Sequence, residues 1–284
     1  MKTALALGLG VGGGALYAFE IEPAWLDVAQ IELPLPGLDP AFDGYRIVQM
    51  SDIHADNVWM TRTRLARIVA TVQAQQPDLV VVTGDFLFSD DPPASREPLQ
   101  ALTGLAAPDG VWAVTGNHDH WGDVRLLRTW LPALGVNELR DDWVTLRRGA
   151  AVLHLAGLDD LWPTTYSLPP LESHLPRLQG VIAAMPADGP AILLAHEPDF
   201  ADVSVATRRF AAQLSGHSHG GQVDLPFVGA PVTPPLGRRY PAGLYSVGTM
   251  LQYTNRGLGM ISPHVRFGCR PELTVFTCRV GRGG

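Results

Sequence analysis

Short apolar runs that stop on polar residues recur along the chain, and stretches of helical period separate the first of them. YRIVQMSD at 45–52 is β-branched and apolar up to Ser51 and reads as a buried strand. Over 62–76, Leu65, Ile68, Val69 and Val72 take the i, i+3, i+4, i+7 spacing of one helix face, and Pro77 stops the pattern. DLVVVTGD at 78–85 predicts a second buried strand and a helical stretch near 95–106 follows. GVWAVTGNHD at 110–119 then predicts a third strand that runs into a glycine-containing turn. Strand, helix, strand, helix, strand is the signature of parallel βαβ units. The later chain is less regular. AAVLHLAGLDD at 150–160, AILLAHE at 191–197 and FAAQLSGH at 210–217 predict buried strands with polar ends, and GLYSVGTM and ELTVFTCRV predict closing, antiparallel strands. The pattern predicts an α/β fold with mixed sheets in one domain, without an internal repeat.

The N-terminus changes that picture. Residues 1–19 carry one charged side chain, Lys2, ahead of an apolar stretch that ends at Glu20. Its length is at the low edge of a membrane span, and the small residues up to Ala18 resemble a cleavage site. With a lysine before it and Glu20, Glu22 and Asp27 after it, the stretch is expected to be a signal peptide or membrane anchor, with the body on the non-cytoplasmic side. A plain N-terminal strand or helix in a cytoplasmic protein is the alternative. Residues 20–40, punctuated by Pro34, Pro36 and Pro40, read as a linker, and 41–284 as the folded domain.

Composition excludes some partners. The chain has 284 residues, 46% of them hydrophobic, which is enough to bury a substantial core. Its net charge is −7 and no run of Lys or Arg exceeds two residues, so a nucleic-acid backbone is a disfavoured partner. Only Cys269 and Cys278 are present, both on what reads as one terminal strand, so a disulfide framework is not expected.

In open α/β folds ligands bind beyond the carboxyl ends of the parallel strands. Those ends carry Asp52 and His54, then Asp85, then Asn117, His118 and Asp119, then His196, then His217 and His219. Asp52 to Asp85 is 33 positions and Asp85 to Asn117 is 32, about one βαβ unit each, so these ends should lie side by side. Carboxylates, imidazoles and an amide oxygen form a mixed N/O set suited to Mn, Fe, Zn or Co. Even seven of these nine are too many for one four-coordinate ion but suit two divalent ions sharing a carboxylate, the clamp used in phosphoryl transfer. If the first strand persists through Asp52 and His54, their side chains share a face.

DIH at 52–54, GD at 84–85, GNHD at 116–119, His196 in LLAHEPDF and GHSH at 216–219 resemble, in order, the blocks of the calcineurin-like metallophosphoesterases. The wider phrasing, MSDIHADN, SGHSHGGQV and the tail RGLG…RFGCRPEL, is similar to a bacterial branch of membrane-associated or exported phosphodiesterases, over roughly residues 41–280. The resemblance implies a four-layer sandwich of two mixed β-sheets flanked by helices, with a dinuclear centre at its rim. It implies that Asp52, His54 and His219 hold one metal, that Asn117, His196 and His217 hold the other, and that Asp85 bridges them. It further implies that His118 stabilises the transferring phosphoryl group or protonates the leaving oxygen, during in-line attack by a hydroxide shared by the ions. One departure stands out. Phe88 lies three positions after Asp85, where many relatives carry a second acid, so an altered loop is expected there.

Beyond the blocks, His120 beside the catalytic turn and Arg238 and Arg239 in PLGRRYPAG are candidates for touching a substrate phosphate. Trp59 and Trp162 predict either packing under the loops or an apolar rim for a lipid or the membrane surface. The expected activity is hydrolysis of small-molecule or lipid-linked phosphodiesters. Two rivals differ in class. An amidohydrolase-type metal enzyme would open on an HxH block, whereas here HxH comes last. A non-catalytic metal-binding scaffold on the same fold would lack His118 or several ligands, all of which are present.

Overall fold

The computed structural model describes residues 13–88 and 90–281. A first sheet is built from β1 (Asp27–Pro36), β2 (Arg46–Met50), β3 (Leu79–Thr83), β4 (Val111–Val114) and β5 (Asn137–Glu138). A second is built from β6 (Asp142–Arg148), β7 (Ala151–Gly157), β8 (Ala191–Leu194), β9 (Ala212–Ser215), β10 (Gly243–Val247) and β11 (Met250–Thr254). β12 (Glu272–Gly281) returns to the first sheet, which runs β1-β12-β2-β3-β4-β5, while the second runs β10-β11-β9-β8-β7-β6.

Side-chain alternation sorts these strands into four layers. Leu79 and Val81 of β3 face a shared core between the sheets with Ile47, Leu155, Ile192, Leu194 and Leu214. Val80 and Val82 face the other way, onto the helix Arg62–Ala74 through Leu65, Ile68, Val69 and Val72. Ala156, Ala191 and Leu193 on the outer face of the second sheet pack against Leu178 and Val181 of the helix Leu175–Ala184. Central strands buried on both faces read as continuous apolar runs, which is why their sequences show no alternation. Gln49 crosses the inter-sheet core. Its amide donates to Thr83 Oγ1 at 2.8 Å in its own sheet and to the Ser215 carbonyl at 2.9 Å in the other, fixing the two carboxyl edges relative to each other.

Several expectations are corrected. Residues 20–40 are not simply a linker, because β1 lies within them and pairs in parallel with the whole length of β12. Leu33 and Leu35 are buried while Pro34 and Pro36 point outward. An edge strand tolerates prolines on its unpaired side, so proline did not mean loop. The helical stretch near 95–106 is broken into short turns, Pro92–Ser95, Arg96–Leu99 and Gln100–Gly104. GLYSVGTM is two strands, β10 turning at Gly248 into β11, and β11 then runs parallel to β9. Cys269 precedes β12, and both cysteines are buried and free. The apolar stretch at 1–12 lies outside the described residues. No described helix is long and apolar enough to cross a membrane.

Candidate metal centre

Asp52, Asp85, His196 and His217 each sit two residues beyond the end of a strand, β2, β3, β8 and β9, and Asn117 follows β4. All seven candidate ligands are therefore delivered to one edge shared by both sheets. Their backbone is unusual. Asp52, His54, Asp85, His217 and His219 have φ between 43° and 71°, five of the eleven described non-glycine residues in the left-handed region. Each costs roughly 1–2 kcal/mol, and such strain persists where the surrounding structure over-determines it. The strand does not persist through Asp52 and His54, as the shared-face argument supposed. Instead β2 ends at Met50, and the loop goes on pairing with the one after β3, through Asp52 N–H to the Gly84 carbonyl and His54 N–H to the Asp85 carbonyl, both 3.0 Å.

Glycine makes the crowding possible. A Cβ on Gly116 would collide with the Asp85 carboxylate and the His196 ring, and one on Gly216 with Ser51 and Asp52.

Asp52, His54, Asp85 and His219 offer one ligand atom each within 4.8 Å of one another, all buried. His54 Nδ1 lies 3.2 Å from the Leu87 carbonyl, which fixes its proton there and turns Nε2 inward as a lone pair. That Nε2 is 3.0 Å from His219 Nε2, so a proton or a cation has to lie between the two rings. The same logic recurs on the other side. His196 Nδ1 donates to the Thr83 carbonyl at 2.6 Å, leaving Nε2 at 3.2 Å from Asp85 Oδ2. His217 Nε2 donates to the Pro235 carbonyl at 2.7 Å, leaving Nδ1 at 2.8 Å from Asn117 Oδ1. Asp85 Oδ2 is also 3.6 Å from His54 Nε2, so one carboxylate faces both groups, while its Oδ1 accepts the His118 backbone N–H at 2.9 Å.

The charge balance fits divalent cations. Burial pushes His54 down to about 3 and His217 to about 4, and it holds His219 well below its ordinary value, so these imidazoles are neutral ligands. Burial pushes Asp52 up to about 7, with the neighbouring Asp85 charge adding to it. Burial opposes ionisation of Asp85 as well, but the His196 and His118 charges outweigh it and hold its carboxyl well below the usual range. Burial opposes the charged form of His196, but the Asp85 and Asp52 carboxylates outweigh it and hold its pKa well above the ordinary value, so the two buried carboxylates draw positive charge into the site, a demand that metal ions also meet.

Other expected residues fall elsewhere. Asp119 spends one carboxylate oxygen on Leu87 N–H and the other on Gly116 N–H, at 2.9 and 3.0 Å, and so ties the turn after β4 to the loop after β3. His120 was expected as a candidate substrate contact, but its ring pairs with Asp159 at 2.9 Å, in a network with Arg128 and Arg140. Arg238 and Arg239, the candidate phosphate contacts, are both exposed, with Arg239 paired to Asp202 and the Arg238 backbone N–H on Asp199. Trp162 sits 6.2 Å from the His217 ring and 4.9 Å from Trp121, which in turn lies 4.9 Å from His118. Trp59 stacks on His264 at 5.4 Å.

Sequence reasoning missed Arg266. It is fully buried, donates to the carbonyls of Gly257, Gly259 and Cys269, and so clamps the loop whose Gly259 N–H reaches the Asp52 carbonyl at 2.7 Å. An arginine in RFGCR carries no periodic signal that would reveal this.

The calcineurin-like phosphoesterase model matches residues 45–221, well over half of the chain, and all seven candidate ligands lie inside that range. The chain belongs to this family. It is 36% identical over 283 residues to the uncharacterized metallophosphoesterase YkuE of Bacillus subtilis, covering 98% of this chain and 95% of that one. It is 29% identical to the phosphodiesterase YaeI of Escherichia coli, over 96% of this chain and 95% of the relative. It is also similar to the UDP-2,3-diacylglucosamine pyrophosphatase LpxG of Chlamydia muridarum, 27% identical over 93% and 92% of the two chains. The chain is thus a metal-dependent phosphoesterase on a four-layer α/β sandwich, with an Asp/His cluster able to hold divalent ions. The amidohydrolase reading is set aside.

Proposed function

We propose that the chain is a dinuclear phosphodiesterase acting on small-molecule or lipid-linked phosphodiesters. In this reading Asp52, His54 and His219 hold one ion, Asn117, His196 and His217 the other, and Asp85 serves both. The observation that carries it is the Asp85 carboxylate, with Oδ2 facing His54 and His196 from opposite groups at 3.6 and 3.2 Å. Bound divalent ions, of which manganese is our first choice, supply Lewis-acid stabilisation of the phosphoryl oxygens and a nucleophile at neutral pH.

The chain's own groups do the rest. Thr83, Leu87 and Pro235 carbonyls fix the protons of His196, His54 and His217 on the outward nitrogens, so the inward ones stay available. His118 is placed by its N–H on Asp85 to hydrogen-bond a phosphoryl or leaving oxygen. Trp121 and Trp162 form an aromatic wall beside His118 and His217.

Diester preference is supported by the name of the Escherichia coli relative, and an acylated substrate by that of the Chlamydia relative. The net charge of −7 argues against nucleic acid. The apolar N-terminal sequence supports a location on a membrane or outside it, with the body on the non-cytoplasmic side. With Mn²⁺ supplied, bis-p-nitrophenyl phosphate should be turned over at least about tenfold more efficiently than p-nitrophenyl phosphate, a gap of about 1.4 kcal/mol. A monoester preference would overturn the reading.

A further inference from the structure

A cavity adjoins the metal cluster at His219 and has a different character. It measures about 340 Å³, at the small end for a ligand site, and its wall includes Val223, Val232, Ile261 and Val265 together with His219. Two of the polar side chains in that wall, Gln222 and Ser218, are already spent. Gln222 gives both amide hydrogens to the Ile261 and Pro263 carbonyls, at 3.1 and 3.0 Å, and its oxygen accepts Ile261 N–H at 2.7 Å. Ser218 donates to the Pro241 carbonyl. The wall therefore presents carbon to the cavity, which suits an aliphatic ligand and offers little to a sugar or a base.

The surroundings point the same way. Val232 continues into an exposed apolar tip, Leu225, Phe227 and Val228, closed by the Leu225–Gly229 backbone pair at 3.1 Å. Phe227 stands fully in solvent with φ of 67°, a strained conformation for a bulky residue that nothing in its own packing rewards. On the neighbouring strip, Phe267 N–H donates to the Gln222 carbonyl, and the Phe267 ring meets Tyr17 at 6.1 Å. Phe19 and Ile21, in the same N-terminal segment as Tyr17, are exposed as well. Large exposed apolar side chains clustered at such a tip suit a surface that meets lipid.

We infer that this cavity is a subsite for the aliphatic chain of an amphiphilic phosphodiester drawn from a lipid surface, with His219 as the shared wall between tail and phosphate. The inference rests on the phosphodiesterase reading above and names the substrate class for it. A chain lying along Val232 and Val265 ends one imidazole away from the cluster, so tail length should be read out in substrate binding.

The test is a series of p-nitrophenyl alkyl phosphodiesters from methyl to octyl, kept monomeric, with the Mn²⁺-loaded full chain. Calorimetric titration with methyl and octyl phosphate runs beside it. For the unaltered protein kcat/KM should rise by roughly two- to fourfold per methylene until the cavity is filled, the burial value of a CH₂. Octyl phosphate should bind more tightly than methyl phosphate by a similar progression. Val265→Trp fills the cavity, and Val232→Asp, at a side chain 74% exposed and outside the core, charges its mouth. Both should flatten the series and leave the methyl ester turned over as before. A flat series in the unaltered protein, in turnover and in binding, overturns the tail subsite. If no ester is hydrolysed, the phosphodiesterase reading fails, and the two titrations still decide whether the cavity takes an alkyl chain.

Discussion

Asp85→Asn should reduce hydrolysis of bis-p-nitrophenyl phosphate by roughly 10³-fold or more, the scale expected when several kcal/mol of charge stabilisation is lost. The replacement is nearly isosteric. Its Oδ1 would still accept the His118 N–H now bound at 2.9 Å, so the turn after β4 keeps its position. What disappears is the negative charge between His54 and His196, the only carboxylate among the described residues that our ligand assignment gives to both ion sites. The substitution therefore separates charge from shape. Activity within tenfold of the unaltered protein, at saturating Mn²⁺, would show that Asp85 is not shared by two ions. The change should also raise the Mn²⁺ concentration needed for half-maximal activity.

His118→Gln should lower kcat by roughly 10²–10⁴-fold while leaving the bound metal unchanged, the usual weight of a positioned acid or hydrogen-bond donor. Its ring lies 4.8 Å from His54 and 4.9 Å from Trp121, at the start of the helix Asn117–Trp121. Burial pushes its pKa below the ordinary 6.5, with the Asp85 charge acting against that shift. The sign matters. A group that must give up a proton loses activity as pH rises through its pKa, so an acid role predicts a falling limb of kcat that His118→Gln removes. The loss should also be greater with a methoxide leaving group than with p-nitrophenolate, which needs no proton. Equal losses for both leaving groups would reduce His118 to a positioning role.

The strand ends were legible because parallel βαβ units place successive carboxyl ends at one edge, so polar residues 32–33 positions apart converge without any knowledge of the loops. The helix Arg62–Ala74 was legible from Leu65, Ile68, Val69 and Val72, and the structure buries those four side chains. Where expectation failed, a local rule had been outvoted by tertiary context. Pro34 and Pro36 read as linker, yet their side of β1 is an unpaired edge that needs no N–H. Asp52 and His54 look like strand residues, but left-handed backbone turns them inward, a conformation that alternation cannot encode. Arg266 and the cavity beside His219 depend on segments distant in sequence that meet only once the chain folds.

In the proposed centre two ions are held by different halves of one cluster, with His217 and His219 one residue apart on opposite halves. Metal analysis of purified, Mn²⁺-reconstituted protein measures this directly. Two ions per chain are expected for the unaltered protein and one each for His217→Ala and His219→Ala. A single ion in the unaltered protein, or two ions kept by either variant, would contradict it.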